Sequence, residues 1–145
     1  VLGAAALSGN ITLCKMLLEA GADPNTKTPN GMTPLMVACN KSAASPLHAS
    51  FAITLVDQCE RADRPKLEVD ARRSDGSTPL MAAAMAGQLK VVQRLVDAGA
   101  DGSAKDNDGD GIKEYARIGC QQRKRGQPLD DSDEEFIQAV SKTLA

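Results

Sequence analysis

Tryptophan is absent, and the chain carries only two phenylalanines, Phe51 and Phe136, and one tyrosine, Tyr115. So few rings exclude an aromatic platform for stacking nucleic-acid bases and a cage for methylated lysine. They also mean that the core is built from Ala, Leu, Val, Ile and Met. Histidine occurs once, as His48. No HExxH, GxSxG, GxxxxGK or GxGxxG occurs, so the groups for metal-assisted hydrolysis, acyl transfer or nucleotide chemistry are not assembled, and no catalytic residue or cofactor is assigned. The four cysteines, Cys14, Cys39, Cys59 and Cys120, show no CxxC or Cys/His pairing. They read as free thiols filling core space in a reducing, intracellular compartment, cytoplasmic or nuclear. No run of about 18 apolar residues occurs that could span a membrane, and no secretory leader pattern is present. A net charge of −2 gives no general attraction to nucleic acid.

What is present is organised around Asp75 to Asp101, DGSTPLMAAAMAGQLKVVQRLVDAGAD. Asp75-Gly76 is a turn dipeptide, since glycine takes the positive φ that a tight turn requires. Thr78-Pro79 starts a helix: the threonine hydroxyl caps free backbone N–H groups, and proline fits the first helical position. Ala82, Ala83, Ala84 and Ala86 give that helix a small face which another helix can approach closely. Gly87 ends it, and Leu89, Val91, Val92, Leu95 and Val96 then follow helical spacing up to Gly99. Two helices of about two to three turns cannot bury this much apolar surface alone, so the unit requires neighbours.

The sequence supplies them. Ala4-Ala5-Ala6, Gly9, Leu13, Leu17, Leu18 and Gly21-Ala22-Asp23 repeat the helical part, and Asn30-Gly31-Met32-Thr33-Pro34-Leu35 repeats the opening. Gly76 to Gly109 spans 33 residues. With these motifs the chain resembles the ankyrin-repeat family, whose units read DxxGxTPLHxAAxxGHxxVVxxLLxxGADxN. The resemblance implies an all-α solenoid of about four stacked helix–turn–helix repeats with β-hairpin-like loops. We expect one domain over 1–145, with repeats at about 1–27, 28–72, 73–105 and a C-terminal cap at 106–145. The chain opens inside a repeat, so a segment of something longer is expected.

Repeat two is irregular, because Gly31 to Gly76 spans 45 residues rather than 33. Aligning Leu47-His48 with the Gly-His of the pattern places Phe51, Ala52, Leu55 and Val56 on the second helix. About five extra residues then precede that helix, within Ser42 to Leu47, and about seven follow it in Glu60 to Lys66. Surface loops tolerate such insertions. By the resemblance, His48 occupies a position where the ring bonds backbone. In repeat four Gly111-Ile112 replaces Thr-Pro, Lys113, Glu114 and Arg117 decorate a helix keeping Ala116, and Gln121 to Asp131 reads as a polar loop with a basic cluster, Arg123-Lys124-Arg125. Ser132-Asp133-Glu134-Glu135 reads as a capping box for a last helix carrying Phe136, Ile137, Val140 and Leu144.

The resemblance places partner recognition on hairpin tips and first helices. Those positions are Lys27, Pro29, Asn30, Met32, Asn40 and Lys41; Arg72, Ser74, Asp75, Ser77, Met85 and Ala86; and Lys105, Asn107, Asp108 and Asp110. Lys27, Arg72, Arg73 and Lys105 make positive tips beside an acidic end at Asp106, Asp108 and Asp110. Met32, Met36, Met81 and Met85 offer flexible apolar contact or pack between first helices. The expected function is a non-enzymatic protein–protein interaction module, binding a protein or peptide with an acidic part and an apolar anchor, and a monomer is expected. Two alternatives stand beside it. Asp106 to Asp110 begin like a calcium loop, with Asp106, Asp108 and Asp110 as ligands, although Lys113 and Arg117 stand where an apolar residue and a bidentate Glu belong. The segment could instead be architectural, regulating a catalytic neighbour through the insertions.

Overall fold

The computed structural model describes residues 1–125 and 127–144. Among the described residues eight helices follow in order: α1 (Leu2–Ser8), α2 (Ile11–Glu19), α3 (Pro34–Lys41), α4 (Pro46–Cys59), α5 (Pro79–Met85), α6 (Leu89–Asp97), α7 (Ile112–Lys124) and α8 (Asp131–Thr143). No strand occurs among the described residues, so the architecture is all-α.

The helix starts follow from local chemistry. Thr33 and Thr78 hold extended backbone, and their hydroxyls accept from the amides of Met36 and Met81 at 3.3 and 3.4 Å, with Pro34 and Pro79 opening α3 and α5. Ser45 and Pro46 repeat the device at α4, the serine accepting from the Leu47 amide at 3.3 Å. Each cap satisfies a backbone donor that lacks an intrahelical partner.

The helices associate as four consecutive pairs in two layers. α1, α3, α5 and α7 lie side by side in one layer, α2, α4, α6 and α8 in the other, and each pair packs internally. Alanines at the seam, Ala5, Ala6, Ala38, Ala83, Ala84 and Ala116, are fully buried and let first helices approach closely. Leu2, Leu18, Leu35, Phe51, Leu55, Leu80, Val92, Leu95, Ile137 and Val140 fill the space between layers. Each buried leucine contributes about 2 kcal/mol relative to exposure, and no pair could bury these residues without its neighbours.

The loops preceding α3, α5 and α7 are one turn repeated. Gly31, Gly76 and Gly109 have φ of 77°, 82° and 87°. In each, the glycine amide donates to the carbonyl three residues back, at 2.8, 2.9 and 3.2 Å for Thr28, Arg73 and Asp106. The amides of those three residues donate in return to the carbonyls of Met32, Ser77 and Asp110 at 3.0 Å. The β-hairpin-like loops are therefore equivalent.

Three local expectations are corrected. The second helix of the long unit begins at Pro46, so Pro46 and Leu47 are helical and part of the first insertion lengthens α4; Ser42–Ala44 alone forms the turn. His48 consequently lies in the first turn of α4, where its Nε2 still bonds the Leu7 carbonyl, at 3.0 Å. α7 continues through Gln121–Lys124, which had read as loop, because Arg123 and Lys124 find partners described below. Asp130, not Ser132, caps α8: its carboxylate accepts from the Asp133 amide at 3.1 Å, and Asp133 accepts from the Asp130 amide at 3.0 Å.

The four cysteines are free and buried. Burial pushes the Cys14, Cys39 and Cys59 thiols up to about 11, 12 and 11.

Candidate functional site

Backbone hydrogen bonds join the three turns into a ladder. The Ser74 amide donates to the Asn30 carbonyl at 3.1 Å, and the Asn107 amide donates to the Asp75 carbonyl at 2.9 Å. Asn107 Nδ2 also donates to the Ser74 carbonyl at 3.0 Å. Arg72 Nε donates to the Gly76 carbonyl at 3.2 Å, and its Nη2 to the Lys105 carbonyl. Arg72 thus ties one turn to the next rather than projecting as a bare positive tip. Lys27 pairs with Glu68 at 3.3 Å.

Beside this ladder the first helices enclose a cavity of about 190 Å³, lined by Met36, Asn40, Arg73, Asp75, Ser77, Thr78, Ala82, Met85 and Tyr115. Arg73 and Asp75 come from the middle turn, Met36 and Asn40 from α3, Ala82 and Met85 from α5, and Tyr115 from α7. The wall is chemically mixed. Ser77 donates to Asp75 Oδ1 through its hydroxyl at 2.5 Å and its amide at 3.0 Å. That pairing, opposed by partial burial and aided by Arg73, holds the Asp75 carboxyl below its ordinary value, so it is an anion at neutral pH. Arg73 Nη1 lies 3.8 Å from Asp75 Oδ2, while its Nε is buried without a partner. Tyr115 donates its hydroxyl to Asp106 Oδ2 at 2.8 Å; burial first, then that bond, pushes its pKa well above the usual phenol. The cavity wall combines a guanidinium whose Nε is unpartnered and shut off from water, a fixed carboxylate and polarizable methionines.

The positions expected to meet a partner distribute unevenly. Asn40, Asp75, Ser77 and Met85 converge on this cavity. Pro29, Asn30, Ser74, Lys105, Asn107 and Asp108 are exposed along the ladder, Lys41 is exposed at the end of α3, and Met32 and Asp110 are half-buried. Ser77 is only 9% exposed and positions Asp75. Ala86 is buried. Met36 and Met81, at 2% and 1% exposure, pack in the core, with Met36 alone of the two reaching the cavity. Sequence reasoning missed Tyr115 as a wall of the site. Its distance of 33 residues from Ala82 was the available signal.

The Asp106 carboxylate is engaged within its own turn. Asp106 Oδ1 accepts from the amides of Asp108 and Asp110, both at 2.9 Å, and Oδ2 accepts from Tyr115. Its lone pairs hold the turn. Among the described residues no group of three or more His, Cys, Asp or Glu side chains is arranged to hold a metal ion. Two residues of the basic cluster are likewise engaged: Arg123 Nη1 donates to the Met85 carbonyl at 2.8 Å, and Lys124 bridges Asp130 and Asp133, the latter at 2.8 Å. Among the described residues no helix is long and apolar enough to cross a membrane.

The family model described as ankyrin repeats (3 copies) matches residues 2–106. An ankyrin repeat and SAM domain-containing protein 6 from Danio rerio is 33% identical over 125 residues, covering 70% of this chain and 17% of that protein. Neurogenic locus notch homolog protein 4 from Homo sapiens is 38% identical over 91 residues, covering 62% of this chain and 4% of that protein. Tyrosine-protein kinase HTK16 from Hydra vulgaris is 32% identical over 109 residues, covering 75% of this chain and 13% of that protein. The chain therefore spans less than a fifth of these relatives. Matching turns, paired helices in two layers and the family model agree: the chain belongs to the ankyrin-repeat family.

Proposed function

We propose that this chain is a non-enzymatic interaction module that grips an extended protein segment along the turn ladder and the first-helix face. Ankyrin repeats are in general protein–protein interaction modules, and the relatives are larger proteins. The observation that carries the reading here is the cavity between α3, α5 and α7, where Arg73 Nε lacks an acceptor beside a fixed carboxylate and a methionine floor. In this reading residues 1–145 form one domain acting as a monomer inside the cell. The α7–α8 pair, outside the family match, acts as its C-terminal cap, and its exposed Lys113, Glu114 and Arg117 suit a water-facing end.

The partner segment bears a carboxylate or backbone carbonyl for Arg73 and an aliphatic side chain for Met36 and Met85. Pull-down with the triple variant Arg73→Ala, Asp75→Ala, Met85→Ala tests this. Partners retained by the native chain are lost, while a Lys90→Ala, Gln93→Ala variant on exposed α6 keeps them. Undiminished capture by the triple variant contradicts the reading.

A further inference from the structure

We propose that the insertion following α4 builds a second binding site, a pocket for a carboxylate carried on an aliphatic chain. A pocket of about 350 Å³ lies between the end of α4, the inserted loop and the end of α6, with Val56, Glu60, Arg64, Leu67, Val69 and Ala98 among its walls. Ligand pockets begin at roughly 300 Å³. None of its lining residues is shared with the cavity on the first-helix face, so this site stands whether or not that face binds protein.

Arg64 carries the argument. Its side chain is 8% exposed, yet Nη1 is buried with no hydrogen-bond partner. The nearest carboxylates, Glu19 and Asp63, stand 3.8 Å from its Nη2 and Nε, beyond hydrogen-bonding distance. Burying a guanidinium is unfavourable unless its donors are satisfied, and native structures rarely leave such a group open. Glu60, which also lines the pocket, does not satisfy it, because Arg94 Nη2 holds that carboxylate at 2.5 Å. Arg64 lines the pocket, and although Nη1 is shut off from water in this arrangement, a turn of the guanidinium toward the pocket lets a carboxylate there supply the missing acceptor with the geometry a guanidinium prefers.

The remainder of the wall selects what the carboxylate is attached to. Val56, Leu67, Val69 and Ala98 form an apolar side, two of them, Val56 and Leu67, within the core. Lys66 stands exposed at the rim, where it attracts an anion without closing the entrance, beside Arg61, whose Nε donates to Asp63 Oδ1 at 3.2 Å. A monoanion with an aliphatic tail matches both halves. A phosphate dianion brings a larger desolvation penalty to the apolar side. The matching head and tail occur in a free medium-chain carboxylate and in the C-terminus of a peptide ending in leucine.

Sodium octanoate is titrated into the full chain and followed by two-dimensional NMR, beside 1-octanol, a hexapeptide ending in Leu with a free carboxylate, and its C-terminal amide. Saturable shifts are expected at Val56, Leu67, Val69 and Ala98, with 1-octanol and the amide at least tenfold weaker than their acids. The tighter acid identifies the source of the carboxylate. Arg64→Met weakens acid binding at least tenfold. Ala98→Leu, which fills the apolar side without touching charge, does the same and serves if Arg64→Met does not fold. Equal binding of acid and neutral analogue, unaltered binding by the folded variants, or shifts confined to Ala82 and Met85 would each overturn the proposal.

Discussion

The Asn107 amide donates to the Asp75 carbonyl at 2.9 Å, and Gly76 lies directly beneath that bond. A Cβ added at Gly76 would sit 2.5 Å from Asn107 Oδ1 on backbone already at φ 82°. Gly76→Val is therefore strained twice, by its own dihedral and against the next turn. It destabilises the chain by about 3 kcal/mol. Urea denaturation measures the loss, and a change under about 1 kcal/mol would mean that the turns are not locked together.

Gly119 sets the spacing of α5 and α7, because a Cβ there would be driven into the Met85 carbonyl, a backbone atom that a rotamer change cannot move. Gly119→Ala costs about 2 to 3 kcal/mol. Tyr115, one turn earlier on α7, shifts with the helix and opens the cavity on the first-helix face. Hydrogen exchange at the α5 and α7 amides should accelerate while α1 to α4 stay protected.

Arg123 donates to the last carbonyl of α5, at Met85, which the helix itself leaves open. Arg123→Ala lowers stability by about 1 kcal/mol. Exposed Arg117→Ala, on the outer side of the same helix, changes it by less than about 0.5 kcal/mol. Thermal unfolding of the two variants makes the comparison.

Several carboxyls are held below their ordinary values in the folded state: Asp75 and Asp101 by serine hydroxyls, Asp106 by Tyr115 and Asp133 by Lys124. A depressed folded pKa means that the unfolded chain binds protons first as pH falls. The stabilisation is then fully present above the unfolded aspartate value of about 4 and disappears as pH drops through the lower folded values. Thermal midpoints should be flat from pH 7 to 5 and fall steeply below pH 4. Asp106→Asn should show a shallower fall. A midpoint that rises on acidification contradicts these assignments.

Thiols pushed up to about 11 and 12 carry almost no thiolate at pH 7.5. A chromogenic disulfide reagent should leave the native chain essentially unmodified over minutes and titrate four thiols in denaturant. Rapid reaction of Cys39 in the native state would contradict its burial.

The repeated turns and the Thr-Pro helix starts were legible because each depends on one or two residues acting locally: a glycine at positive φ, a hydroxyl cap, a proline at the first helical position. Ser45-Pro46 carried the same signal, but fitting Leu47-His48 to the family pattern obscured it. The end of α7 was not legible. The polar Gln121–Lys124 reads as loop, and what sustains the helix is distant: Met85 for Arg123, Asp130 and Asp133 for Lys124. Of the candidate site, the turn positions were visible from the repeat, whereas Tyr115 and the unpartnered Arg73 Nε depend on three helices meeting. Met36 and Met81 were ambiguous because methionine at helical spacing serves core and surface alike.

The most direct measurement places a photo-crosslinking residue at Met85, and separately at exposed Gln93 on α6, and identifies the joined peptides by mass spectrometry. Our account predicts recurrent crosslinks at Met85 to segments pairing an aliphatic residue with an acidic one, abolished by Arg73→Ala, and only scattered products at Gln93. Recurrent crosslinks at Gln93 with none at Met85 would contradict it.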